Sequence, residues 1–321
     1  MRDRRDANRR RLEKGLAANE DPAPNEFVKQ GSYAMRTMVQ HPDNDYDIDD
    51  GVYFLKEDLV GARGAEMTSR QAREMVRDAV DDGSFTDPPE VRGNCVRVFY
   101  QKGYHVDMPV YRTVNEGDEV WHELASSSGW RRSDARDVTA WYDSGLATSS
   151  DGPQERRLTR YLKKFSRSRA SWCGTILSGF GITVLVDERS RLNADREDKA
   201  LDETMRLIRD RLNLDLEIEH PVTPDDMLTA GPSDARAAKF RDKLAEAIRW
   251  LDPLFDPSCT RNQALACWDK VFNTTFFSER GEEEARSQAL WIRPAIGSAA
   301  LIGLEAQTSA AVLSSGGGRH A

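Results

Sequence analysis

Apolar and polar positions divide the chain into two regimes. To about residue 145 short alternating runs mix with helical stretches, and beyond residue 151 apolar residues recur mainly at helical spacing. In the first regime, residues 94–101 and 104–112 alternate and predict a hairpin across Lys102-Gly103. Pro109 cannot donate to a ladder, so it belongs at an edge or a strand end. Thr68, with Gln71 three residues on and Met75, Val76 and Val80 behind it, predicts a capped helix. In the second regime, residues 153–169, 195–212, 233–251 and 262–272 predict helices. By β-branching alone, residues 182–186 predict a strand. Residues 1–20 are dense in charge around Arg9-Arg10-Arg11 and predict a solvated helix packed along the body, ended by the prolines of residues 21–25. Ser314-Ser315-Gly316-Gly317-Gly318 opens a tail expected to be flexible.

Candidate chemistry sits in the alternating half. In a strand, residues i and i+2 project from one face, so Asp47 and Asp49 point together while Ile48 points toward a core. Val106, Met108 and Val110 share one face of a later strand, and His105, Asp107 and Tyr111 the other. If the two strands are neighbours, three carboxylates meet over one patch. Hard oxygen ligands of this kind suit Mg²⁺, which takes part of its shell from substrate phosphates. Upstream, Gly31 permits close backbone approach to a phosphate, and Ser32 adds a hydroxyl and an amide donor. The Asp-rich run 43–51 can also be read as a solvated turn. A calcium loop starting at Asp45 fails its register, with Asp50 at the sixth position and Lys56 at the twelfth. Taken in this order, the Gly-Ser turn, the Asp-x-Asp strand and the lone strand Asp predict two-metal nucleotidyl transfer, with Asp47, Asp49 and Asp107 as catalytic and metal-binding residues.

Several stretches resemble one family. They are Gln30-Gly31-Ser32 with Thr37, the run 45–52, His105-Val106-Asp107-Met108-Pro109-Val110-Tyr111, Trp130-Arg131-Arg132-Ser133-Asp134 with Trp141-Tyr142, Arg160-Tyr161-Leu162-Lys163-Lys164-Phe165, Ser178-Gly179-Phe180-Gly181 running on to residue 186, and Ala264-Leu265-Ala266-Cys267-Trp268 running on to Asn273. Together they are similar to the CD-NTases, the bacterial cGAS/DncV-like nucleotidyltransferases of CBASS anti-phage defence. The resemblance spans most of residues 25–280. It implies an α/β (α+β) fold, bilobal, with a polymerase-β-like nucleotidyltransferase core at 25–150 and a helical C-terminal lobe at 151–305 closing the cleft. The charged N-terminal helix occupies 1–24 and the tail 306–321. It also implies a helix rather than a strand at 182–186.

The implied activity is synthesis of a cyclic di- or trinucleotide from NTPs such as ATP and GTP, on two Mg²⁺ ions for which Mn²⁺ can substitute. The product would activate an effector, reached through the cyclic nucleotide only. The helix expected at 153–169 is basic through Arg156, Arg157, Arg160, Lys163 and Lys164, and a lysine of this helix and a serine after it contact the triphosphate in this family. Lys164 and Ser178 match best, with Lys163 adjacent and able to take the role. Gln30 and Tyr33 are further candidates to touch a nucleotide, Tyr33 by stacking on a base or else as a core residue. Some members occur with a ubiquitin-transfer-like partner that conjugates the cyclase C-terminus, here Ala321.

Composition narrows the field. A formal net charge of −8 argues against standing contact with long nucleic acid, which demands clustered cations. This disfavours an enzyme that extends RNA ends, one of two enzymatic alternatives; the other is a protein-modifying toxin. The three carboxylates disfavour a catalytically silent scaffold. Cys95, Cys173, Cys259 and Cys267 lack metal-site spacing and read as reduced thiols. Trp121, Trp130, Trp141, Trp250 and Trp268 read as core residues rather than base platforms. No apolar run has the length of a membrane span and no signal peptide opens the chain, so a cytoplasmic location with no membrane partner is expected.

Overall fold

A computed structural model describes residues 2–39, 47–61, 64–101, 103–223 and 226–291. The chain opens with helix α1 (Arg2–Ala18), strand β1 (Glu26–Gln30) and the single turn α2 (Gly31–Ala34). Strand β2 (Asp47–Leu55) and helix α3 (Ser69–Val80) follow, then β3 (Glu90–Val91), β4 (Val96–Phe99), β5 (His105–Met108), β6 (Val110–Glu116), β7 (Glu119–Ser126) and β8 (Gly129–Arg132). The remainder is helical: α4 (Ala135–Thr148), α5 (Gly152–Ser166), α6 (Gly179–Arg189), α7 (Glu197–Leu214), α8 (Ala235–Leu251), α9 (Arg261–Phe272) and α10 (Phe276–Trp291). The C-terminal tail 306–321 with Ala321, residues 43–46 of the Asp-rich run and Lys102 lie outside the described residues.

The eight strands form one mixed sheet. β2 runs antiparallel to β1 and parallel to both β5 and β6. Asp47 pairs with His105 and Val52 with Val110 at one constant offset, so β5 and β6 continue each other across Pro109. The Pro109 carbonyl accepts from the Val52 amide at 2.8 Å, which keeps the ladder intact where the proline has no N–H to give. β4 and β5 form the expected hairpin.

Two large apolar clusters underlie the fold. One lies against the sheet and contains Val52, Phe54, Val76, Val98, Val106 and Met108. The other is helical and contains Leu158, Leu162, Phe165, Ile182, Met205, Phe240 and Val271. A smaller cluster of Met35, Tyr142 and Leu146 accompanies them. α1 buries Leu12 and Leu16 in the sheet cluster. A Cβ at Gly15 would stand 1.9 Å from the Ala79 carbonyl oxygen, so α1 and α3 meet backbone to backbone. Arg9 of α1 forks onto the fully buried Asp50 of β2 and stacks over Phe27, which anchors the helix beside the site strand.

α3 starts with the expected capping box, Thr68 and Gln71 each satisfying the other's backbone amide. Residues 182–186 are helical. Ser178 caps α6 through the Gly181 amide, and Ile182, Val184, Leu185 and Val186 are buried around it. The strand expected from β-branching is therefore corrected: when a segment is enclosed on all sides, packing overrides intrinsic preference. Cys95, Cys259 and Cys267 are free thiols. Trp130, Trp141, Trp250 and Trp268 pack against the two large clusters.

Candidate active site

β2 and β5 bring the predicted carboxylates together. The parallel register sets Asp47 beside His105 and Asp49 beside Asp107, one strand spacing apart. The even positions Ile48, Val106 and Met108 are fully buried, which holds the odd positions on the opposite face. One ligand atom each from Asp47, His105 and Asp107 lies within 4.8 Å of the others. His105 Nε2 is 3.8 Å from Asp47 Oδ2 and 3.9 Å from Asp107 Oδ2. Asp49 is next to the glycine turn, where a Cβ on Gly31 would stand 2.2 Å from its Oδ2. Gly31 also has φ +60°, so both backbone conformation and space call for glycine there.

A cleft of about 360 Å³ opens over this face. Gln30, Gly31, Ser32, Thr37, Asp47 and Asp49 line one side, and Lys163, Arg167, Gly179 and Phe180 the other. Gln30 is held by Tyr111, whose hydroxyl donates to its Oε1 at 3.1 Å. Its Nε2 has no partner among the described residues and would meet a Cβ on Gly51 at 1.7 Å. Lys163 is 4% exposed, and its Nζ donates to the Thr37 hydroxyl at 2.8 Å. Arg167 donates to the Val39 carbonyl at 3.2 Å. These two bonds tie α5 to the segment between α2 and β2, so cations and carboxylates face one space.

Charge at the site is strongly unbalanced. Burial, then the Asp47 and Asp107 carboxylates, push Asp49 up to about 7, against the opposing pull of Arg97. Burial, then the Arg167 guanidinium, push Lys163 down to about 7, while Asp47 pulls the other way. A divalent cation would relieve the cost of keeping the buried Asp49 carboxylate charged beside Asp47 and Asp107. The carboxylate oxygens of Asp47 and Asp107 suit a hard divalent cation such as Mg²⁺ or Mn²⁺.

Some expected residues stand elsewhere. Lys164 lines a separate pocket of about 610 Å³ with Tyr161, Trp268 and Phe272, and Lys163 is the lysine in the cleft. Ser178 is exposed and caps α6, while its neighbours Gly179 and Phe180 reach the cleft lining. Tyr33 is half-buried, and its hydroxyl accepts from Arg2 at 2.9 Å. The sequence reading missed Arg97, whose fork holds both oxygens of Asp107, and Thr37 and Arg167 as polar neighbours of the cleft. It placed His105 on the face of Asp107 without giving it a role.

The family model for the nucleotidyltransferase domain of DncV-like cyclic GMP-AMP synthases matches residues 25–111, the segment that carries β1 to the start of β6 and all three carboxylates. Among solved structures, Escherichia coli DncV bound to 3′-deoxy GTP superposes with TM-score 0.61 at 20% identity, over 77% of this chain and 68% of that one. The Bradyrhizobium diazoefficiens CD-NTase CdnG in complex with GTP gives TM-score 0.66 at 14% identity, over 88% and 91%. Vibrio cholerae DncV, a cyclic AMP-GMP synthase solved with the linear intermediate pppA(3′,5′)pG, gives TM-score 0.60 at 16% identity, over 77% and 68%. At such identities the superpositions establish the shared polymerase-β-like fold. The domain match adds a likeness to a nucleotidyltransferase domain over residues 25–111, the segment that carries the carboxylate strands.

Proposed function

We propose that this enzyme makes a cyclic di- or trinucleotide from NTPs, as a signal in bacterial antiviral defence. The observation that carries the reading is the in-register meeting of Asp47, Asp49 and Asp107 on β2 and β5, beneath a cleft that also holds Gly31 and Lys163. The acceptor ribose hydroxyl forms a bond to the α-phosphorus of the donor NTP, the bond to pyrophosphate breaks, and the hydroxyl proton passes to solvent. A second transfer of the same kind closes the ring.

Asp47, Asp49 and Asp107 would hold two Mg²⁺, with Mn²⁺ as a substitute. When bound, the ions lower the pKa of the attacking hydroxyl and neutralise the leaving pyrophosphate. Gly31 and Ser32 offer the triphosphate a close backbone approach and a hydroxyl donor. Burial makes the Lys163 proton easier to lose, and a polyphosphate in the cleft would hold that proton on the lysine and pair with it. This lysine fills the role expected of Lys164. Gln30 lines the cleft beside Gly31, with its amide nitrogen buried against Gly51. Catalysis of this kind rests on positioning and electrostatic stabilisation.

The domain division at residues 24, 150 and 305 belongs to this reading, with the helical part closing over the cleft. So do a cytoplasmic location and conjugation of the tail through Ala321 by a ubiquitin-transfer-like partner. Among the described residues no helix is long and apolar enough to cross a membrane. Incubation with four labelled NTPs and Mg²⁺, then phosphatase and chromatography, tests the activity. A small phosphatase-resistant product supports it. A labelled RNA or protein, or no turnover, refutes it.

A further inference from the structure

We infer that Arg97 decides which divalent cation the carboxylate site accepts, by limiting Asp107 to coordination through one oxygen. This rests on the reading of Asp47 and Asp107 as cation ligands. Arg97 on β4 stands directly opposite Asp107 on β5 in the antiparallel register. Its Nε donates to Oδ1 at 2.8 Å and its terminal nitrogen to Oδ2 at 2.7 Å, so the fork closes on both oxygens. Asp107 is 5% exposed, and the Arg97 side chain lies over it at 28%.

An ionised carboxylate offers about four lone-pair positions, and a bidentate guanidinium takes one on each oxygen. The fork occupies the space in front of both oxygens, which is where a cation chelated by the two together would have to sit. What remains is the outer edge of a single oxygen. On the Oδ2 side that edge faces the group formed with His105 Nε2 at 3.9 Å, itself 3.8 Å from Asp47 Oδ2. Asp107 can therefore lend one oxygen to a cation shared with Asp47, and no more.

Cations differ in what this restriction costs them. Mg²⁺ is small, demands near-octahedral geometry and is satisfied by carboxylates bound through one oxygen. Ca²⁺ collects six to eight oxygens and gains from chelating carboxylates. The Arg97 fork thus penalises Ca²⁺ more than Mg²⁺ or Mn²⁺. A lysine at 97 would keep the positive charge but engage a single oxygen, so it separates blocking of chelation from simple repulsion. Arg97 is a positioning residue here, since it acts through Asp107.

The test is equilibrium Mn²⁺ binding to the purified protein without nucleotide, read from the electron paramagnetic resonance signal of free Mn²⁺, with Mg²⁺ and Ca²⁺ as competitors. Wild type, Arg97→Ala, Arg97→Lys and the double variant Asp47→Asn/Asp49→Asn are compared, each with a thermal melt to verify folding. In both Arg97 variants Ca²⁺ should gain on Mg²⁺ as a competitor by roughly tenfold or more, the scale on which partners of metal ligands act. Ca²⁺ should also inhibit Mg²⁺-supported turnover more strongly in both. If Arg97→Ala does not fold, Arg97→Lys alone decides the matter. An unchanged Ca²⁺ to Mg²⁺ ratio overturns the inference, including the case in which every ion binds tighter through loss of charge alone. Wild type binding Mn²⁺ no better than the double variant would instead overturn the assignment of the carboxylates, and the inference with it.

Discussion

Replacing Lys163 with methionine should yield a protein that is more stable and a poorer enzyme. Lys163 is 4% exposed, and burial followed by Arg167 depresses it from its ordinary 10.5 to about 7. At about 1.36 kcal/mol for each pKa unit, the native state carries a penalty of roughly 5 kcal/mol below pH 7. The sign follows from proton counting. Between pH 7 and 10.5 the unfolded chain holds a proton that the native chain has released, so native stability rises with pH and the penalty fades toward 10.5. Methionine fills similar space without charge. It leaves the fully buried Thr37 hydroxyl without its donor, at a cost of roughly 1–3 kcal/mol.

The net gain is roughly 2–4 kcal/mol at pH 6.5, several degrees in melting temperature, and about zero at pH 9.5. Loss of a charged contact to the triphosphate should raise the NTP KM by roughly 10- to 100-fold, from 1.5–3 kcal/mol for a hydrogen bond to a charged group. Thermal unfolding at the two pH values and steady-state kinetics read both halves. A stability difference of equal size at pH 6.5 and 9.5 would refute the argument from burial. An unchanged KM would remove Lys163 from the triphosphate site.

Three further substitutions probe the surroundings. Asp47→Asn with Asp49→Asn should cut turnover by more than about 10²-fold, while the melting temperature at pH 8 holds or rises; burial, then repulsion from Asp47 and Asp107, raises Asp49 to about 7, and its ionisation weakens the native state as pH climbs toward and through that value. Gly31→Ala should keep the fold and lose most activity, because the new Cβ meets Asp49 Oδ2 at 2.2 Å; wild-type rates would show that the turn has room to shift. Arg9→Met should destabilise by roughly 3–5 kcal/mol in chemical denaturation, since it strands the Asp50 carboxylate in the core. A loss below about 1 kcal/mol would mean that water reaches Asp50.

The carboxylate face was legible because a strand's period of two is rigid. Once Ile48, Val106 and Met108 are assigned inward, Asp47, Asp49 and Asp107 have nowhere else to point. The capping box at Thr68 was equally local. Arg97 was not legible, because its meeting with Asp107 depends on which residue of β4 falls opposite, a register that no local pattern states. The choice between Lys163 and Lys164 turned on helix phase. Thr159, Lys163 and Ser166 are buried polar residues spaced by four and three, flanking the stripe of Leu158, Leu162 and Phe165. That spacing was the available signal for Lys163. α10 escaped notice because its charged residues break up any apolar stripe, and α4 lay within a stretch that read only as mixed.

The most direct test of the central claim is the mass of the phosphatase-resistant product formed from NTPs and Mg²⁺. The account predicts a small molecule with as many phosphates as nucleosides and no phosphate terminus, absent when Asp47 and Asp49 are both asparagine. A product that retains a terminal nucleoside hydroxyl pair, as a dephosphorylated linear dinucleotide would, or one made equally well by the double variant, would contradict it.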